Sequence, residues 1–335
     1  MAFPRVAAVH PLRAIEGGRV TIDGTGFPVD QPQLPEVTIG GVRARLVFAS
    51  PTRLIAIVPS GLDGGRVAIR IGGVSGETMF IDVAGPLATG LHQVDSPVFD
   101  RDGNLYVTYS GTRGQQVPVS IFRVRPNGTR ETFSSGIINP TSMAVHPDGR
   151  LFVSSRFEGI VYHVASDGSV EPFATDLGVA CGLAFAEDGT LFVGDRSGTI
   201  FKLDRSGHAT TFASVPASVA AFHLAYGPPG GDAALYVTGP TLSPYDAVYC
   251  ISLDGTVETR YTGFGRPQGL GFDARGTLHV VEALAGASGL YRVPNGRQPE
   301  LVLSGPGLVG VAFDPQDGLV VTSNDTAFRL ATTNN

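Results

Sequence analysis

The sequence predicts an all-β protein in two parts: a small β-sandwich over residues 1–84 and a six-bladed β-propeller over residues 85–335. Three observations predict it. A four-strand unit recurs six times between Asp95 and Leu330, marked by the leucine that opens each second strand: Leu105, Leu151, Leu191, Leu235, Leu278 and Leu319. The spacings are 46, 40, 44, 43 and 41 residues, the length of a propeller blade. An aromatic in each third strand (Phe122, Tyr162, Phe201, Tyr249, Tyr291, Phe328) keeps the same period. Finally, the 335 residues include 45 glycines and 24 prolines, only 16% are charged, and no long helical period appears, as expected of short strands joined by tight turns.

The first 84 residues lack the repeat and read as seven short strands near 6–9, 19–22, 36–39, 43–48, 54–58, 66–71 and 78–83, enough for a sandwich. Gly40-Gly41 suits a two-residue hairpin turn, which needs positive φ. Pro4-Arg5-Val6, the run Gly17 to Ile22, Gly24-Thr25-Gly26-Phe27, Val37 to Gly41 and Val58-Pro59 resemble the IPT/TIG immunoglobulin-like domain. The resemblance implies a structural, dimerising or ligand-presenting module, hence a homo-oligomer formed through the N-terminal part.

In five of the six blades an Asp-Gly-type turn joins the first strand to the second, and in five an Asn-Gly, Asp-Gly or Ser-Gly turn joins the third to the fourth. The sixth unit ends at Leu330 without a fourth strand. Residues 87–91 (Leu-Ala-Thr-Gly-Leu) align with Phe173 to Leu177, the outer strand before the third blade, so they are expected to complete the last blade and close the ring. Only Ala84 to Pro86 is then left between the two parts.

Composition excludes several functions. A net charge of −6 and a pI near 5.6 offer no basic face for nucleic acid. No apolar run is long enough for a bilayer, so no membrane partner is expected. Two cysteines, Cys181 and Cys250, make no disulfide framework. Residues 1–13 carry neither the basic nor the apolar region of a leader peptide, which points to a cytoplasmic protein, although a mature secreted chain would read the same way.

The short turns lie on one face of the ring, and the longer loops, Tyr109–Val119 and Thr238–Ala247 above all, lie on the other, where function is expected. The starts of the innermost strands and the ends of the second strands converge there. His223 stands where other blades have Gly182, Gly269 and Gly310, so its imidazole fills axial space that they leave free. His223, Glu282 and Asp95 are the candidate acid–base groups. Tyr109, Thr141, Arg156, Cys181, Phe222, Tyr245 and Gln268 are candidate substrate-binding residues. Asp195, in a tight Gly-Asp-Arg-Ser-Gly turn, reads as a cap.

The blades resemble the gluconolactonase and senescence-marker propellers, and also NHL-repeat proteins. In the first group the resemblance implies an axial divalent metal held by oxygen ligands from four innermost strands. Its Glu-x-Pro motif appears here as Asp95-Ser96-Pro97, making Asp95 the candidate metal ligand. The other three positions fall on Thr141, Cys181 and Gln268, which hold no carboxylate. No cofactor is therefore expected, with calcium, zinc or manganese at Asp95 the exception that the resemblance carries. The leading expectation is a small-molecule enzyme doing hydrolase- or lyase/cyclase-type acid–base chemistry in the axial pocket, diverged from metal-dependent lactonases. A non-catalytic ligand- or protein-binding propeller of NHL type, and a lactonase with a rebuilt metal site, are the alternatives.

Overall fold

The computed structural model describes residues 4–74, 78–229, 232–284 and 286–331, and every regular element among them is a strand. All seven sandwich strands form where the sequence places them, within a residue or three. Their alternating burial, as in Arg19–Thr25, puts Val20, Ile22, Phe27, Ile39, Leu54 and Ile81 into one core. The eight-residue strand Val42–Ala49 joins the two halves: its first residues pair with Val37–Ile39 and the rest with Arg53–Ile57.

An eighth strand, Arg13–Ala14, is absent from the sequence reading. It lies parallel to Met79–Val83 on one side and to Glu300–Ser304 on the other, with Ala14 opposite both Val83 and Ser304. This changes the blade count. Five four-stranded sheets stand on their own, not the six expected. The unit opened by Leu278 (Pro267–Phe272, Leu278–Glu282, Gly289–Val293, Glu300–Ser304) continues through Arg13–Ala14 into the sandwich as one 12-stranded sheet. The physical reason is an open edge: the outer strand of a blade exposes unpaired backbone groups, and here the sandwich covers them. The unit keeps its place in the ring, its innermost strand packed between His223–Gly227 and Leu308–Phe313.

The junction has an apolar centre. Ile15 and Ala84 of the N-terminal part are buried in one apolar cluster with Val281, Leu290, Leu303 and Leu308. Ile15 N–H donates to the Ser304 carbonyl at 2.9 Å, and Arg19 N–H to the Ser304 hydroxyl at 2.7 Å.

The last sheet is completed from the front of the chain. The strand that does so is Gly85–Thr89, beginning two residues before the expected 87–91, with Arg329 opposite Gly85 and Thr326 opposite Thr89. Pairing starts as soon as the chain leaves the sandwich. Around the ring, apolar strands such as Leu151–Ser155 and Leu191–Asp195 are buried along their whole length, because each lies within its sheet and under the neighbouring blades.

Candidate functional site

Four innermost strands carry an irregularity at the axial mouth. Between Pro140 and Met143, Ala180 and Leu183, Pro267 and Leu270, and Leu308 and Gly310, the pairing with the second strand shifts register. Such bulges re-aim side chains, and they bring Cys181 and Gln268 to the lining of a cavity on this face. Close approach of neighbouring strands dictates the glycines beside them. A Cβ on Gly269 would sit 2.5 Å from the Ser96 hydroxyl oxygen, and one on Gly310 would sit 2.7 Å from the Asp95 carbonyl. The strand His223–Gly227 has no bulge: His223 pairs directly with Thr238, and its ring takes the room that the glycines leave.

The imidazole of His223 is wholly buried and meets Asp95, whose side chain is 5% exposed. Nδ1 donates to Asp95 Oδ1 at 2.6 Å, and the same oxygen accepts the Ser96 N–H at 2.6 Å. Nε2 is buried without a hydrogen-bond partner among the described residues. Asp95 also lines the hollow at the opposite mouth, with Ser142, Leu224 and Val311. The dyad therefore forms a partition across the axial channel.

Above it lies a cavity of about 370 Å³, in the range of small-ligand sites. Apolar walls come from Phe157, Val179, Val219, Ala221 and Val309. Polar groups come from Gln268, Asn324 and three arginines, Arg113, Arg156 and Arg196. Burial, with repulsion from Arg196 and Arg113, holds the Arg156 guanidinium below the ordinary arginine value. Burial also pushes the Cys181 thiol up to about 11, and the thiol donates to the Val179 carbonyl at 3.2 Å. It is neither a nucleophile nor a metal ligand in that form.

Of the residues singled out in the sequence, Arg156, Cys181 and Gln268 meet at the cavity, and Asp95 and His223 meet beneath it. The others are elsewhere. Glu282 is a loop anchor whose oxygens accept three backbone N–H bonds, from Gly265, Arg266 and Leu284, at 2.6, 2.9 and 2.7 Å. Asp195 holds its own turn by accepting the Ser197 hydroxyl, and also ties in the loop before Ala180–Phe185 by accepting Val179 N–H at 2.7 Å. Thr141 is buried with its hydroxyl on the Asn139 carbonyl, and Phe222 is apolar core. Tyr109 packs edge-on against His92 and Phe122, and Tyr245 projects to solvent. Arg113 and Arg196 escape the sequence reading, which reaches Asn324 only as the end of a second strand at this mouth and not as a binding residue. A signal for two of the three existed: Arg156, Arg196 and Asn324 each follow their blade's marker leucine by five residues.

The donor set does not fit a divalent metal. Among the described residues, no group of three or more His, Cys, Asp or Glu could hold one. Asp95 is the single carboxylate at the four positions that the resemblance implies, and its Oδ1 is already engaged twice.

Residues 4–82 match the IPT/TIG domain family. Compared with curated protein sequences, the chain has no match. Among solved structures it is similar to an auxiliary nutrient binding protein from Bacteroides ovatus, with 14% identity over 98% of each chain and a TM-score of 0.57. It is also similar to a gluconolactonase from Xanthomonas campestris, with 15% identity over 73% of this chain and 88% of that one and a TM-score of 0.58. A third is a catalytically inactive histidine-to-alanine variant of virginiamycin B lyase from Staphylococcus aureus with quinupristin. It shows 14% identity over 88% of this chain and 99% of that one, with a TM-score of 0.53. At these identities the likeness is one of fold: a β-propeller.

Proposed function

We propose that this protein binds a small organic molecule in the cavity at the axial mouth, as a non-catalytic ligand-binding propeller to which the sandwich is rigidly attached. The observation that carries this reading is the chemistry of the lining. Amides, guanidiniums and apolar side chains can hold and orient a ligand. Among the described residues, neither histidine nor carboxylate lines the cavity, and its one thiol is pushed up to about 11: His223 is sealed below the floor, and His92, near Arg156, packs against Tyr109. The nutrient-binding protein from Bacteroides ovatus supports the reading in one respect: its likeness spans both parts of the chain, whereas that to the gluconolactonase covers 73% of it.

One observation favours a second reading, an acid–base enzyme of hydrolase or lyase type. The Asp95–His223 dyad has the arrangement of an oriented general base, with Nε2 unpartnered among the described residues. Reaction would require the floor residues to part and let substrate reach that nitrogen.

Equilibrium dialysis against a mixture of common metabolites, read by mass spectrometry, tests both. Retention of one compound unchanged, abolished by Val219→Trp at the half-exposed rim, is the expected result. Conversion of a retained compound that stops in His223→Ala would overturn the binding reading in favour of the enzyme. Retention that persists in Val219→Trp would put the ligand elsewhere.

A further inference from the structure

The charge of the cavity is one-sided. Arg113, Arg156 and Arg196 line it, and no carboxylate does. Arg156 and Arg196 come from the same place in successive blades, just past the second strands Leu151–Ser155 and Leu191–Asp195, while Arg113 reaches in from the long first-blade loop. None of the three is in an ion pair among the described residues. Among the described residues, the one hydrogen bond from the Arg156 guanidinium is a long one, 3.5 Å to the Ser110 hydroxyl.

The acids that could neutralise them are turned to other tasks. Asp195 accepts from Val179 N–H and from the Ser197 hydroxyl. Glu158 accepts from Ile138 N–H at 3.4 Å, and Asp325 from the Ser323 hydroxyl at 2.8 Å. Asp95 lies below the floor, paired with His223. Three like charges around one partly desolvated hollow repel one another until an anion enters, and the planar guanidinium fork matches carboxylate and phosphate oxygens two at a time. This local excess of positive charge sits on a molecule of net charge −6, so it is a property of the cavity and not of the surface at large.

We propose that the ligand of this cavity is a small multivalent organic anion, carrying two or more carboxylates or a phosphate monoester, gripped by Arg113, Arg156 and Arg196. Gln268 and Asn324 supply amide partners for its remaining polar groups, and Phe157 and Val219, each about half exposed, supply apolar contact at the rim. This names the ligand class of the site proposed above and rests on that reading.

Titration calorimetry of the full chain with citrate, glucose 6-phosphate and neutral glucose tests it. The carboxylate and phosphate sources are separated by the first two probes. The expected result is saturable one-to-one binding of at least one anion and none of glucose. Affinity should fall about tenfold or more in Arg156→Gln and in Arg196→Gln, each checked for native circular dichroism, as expected for loss of a charge-assisted pair. The surface variant Arg297→Gln should match the parent, and binding should weaken as salt is raised. Glucose binding with equal affinity in parent and Arg156→Gln would overturn the anion inference and leave the binding reading standing. Anion binding that ignores both cavity arginines would overturn it as well. Silence from all three probes overturns the anion inference, and the metabolite dialysis then decides separately whether the cavity binds anything.

Discussion

At the scale of single residues, burial decides which groups react. Cys181 is buried with its thiol pushed up to about 11, whereas Cys250 is half-buried. At pH 8 only about one Cys181 thiol in a thousand is ionised, and the thiolate is the species that alkylates. Iodoacetamide on the native protein is therefore expected to label Cys250 well before Cys181. Peptide mass spectrometry of a time course checks this, and early labelling of Cys181 would contradict it. His279 makes a pH statement. Burial holds its imidazole below the ordinary value of 6.5, opposed in part by Asp273 and Asp317 and helped by Arg292. The unfolded chain takes up that proton first as the solution is acidified. Stability that is fully present above pH 6.5 is thus lost as the pH falls through it toward the lower folded value. Melting temperatures between neutrality and about pH 5 should fall less steeply in His279→Gln than in the parent. Parallel curves would assign the pH dependence to other groups.

At the scale of elements, the smallest strand has the largest consequence. Arg13–Ala14 is two residues long, yet it joins the sandwich to Glu300–Ser304, and the next residue, Ile15, is 2% exposed in the apolar cluster of the propeller. Gly18 lies so close that a Cβ there would stand 2.5 Å from the Ser304 carbonyl. Ile15→Ala is expected to cost about 2–5 kcal/mol. The loss falls on the junction and not on either core, so the variant should unfold in two steps where the parent unfolds in one. Denaturant melts followed both by far-ultraviolet circular dichroism, which sees the strands of both parts, and by tyrosine fluorescence, which sees the propeller alone because every tyrosine lies there, distinguish this from a uniform shift of one transition. The strand escaped the sequence reading because two residues beside Pro11 and Leu12 have no alternation to detect. Gly85–Thr89, by contrast, was legible, since its apolar pattern repeats that of a sister outer strand. Both its ends were expected two residues too late.

At the scale of the whole molecule, what the sequence reveals follows from how locally each feature is encoded. The marker leucines and third-strand aromatics recur because every blade solves the same packing problem, so the repeat units are plain in the chain. The independence of those units is not. Whether an outer edge is left bare or covered depends on a segment 290 residues away, Ala14 against Ser304. The same distinction runs through the site. The convergence of Asp95 and His223 on the axis could be read from their blade positions. The use of Glu282 as an anchor for backbone N–H groups could not, because an acid after an apolar strand looks alike whether it faces a ligand or a loop. The twelve continuous strands also have a navigational meaning. A sandwich on a hinge would let the mouth sweep in all directions, but one woven into the same sheet as a blade holds it at a fixed bearing. Whatever fixes the orientation of the sandwich thereby also fixes the direction in which the cavity opens.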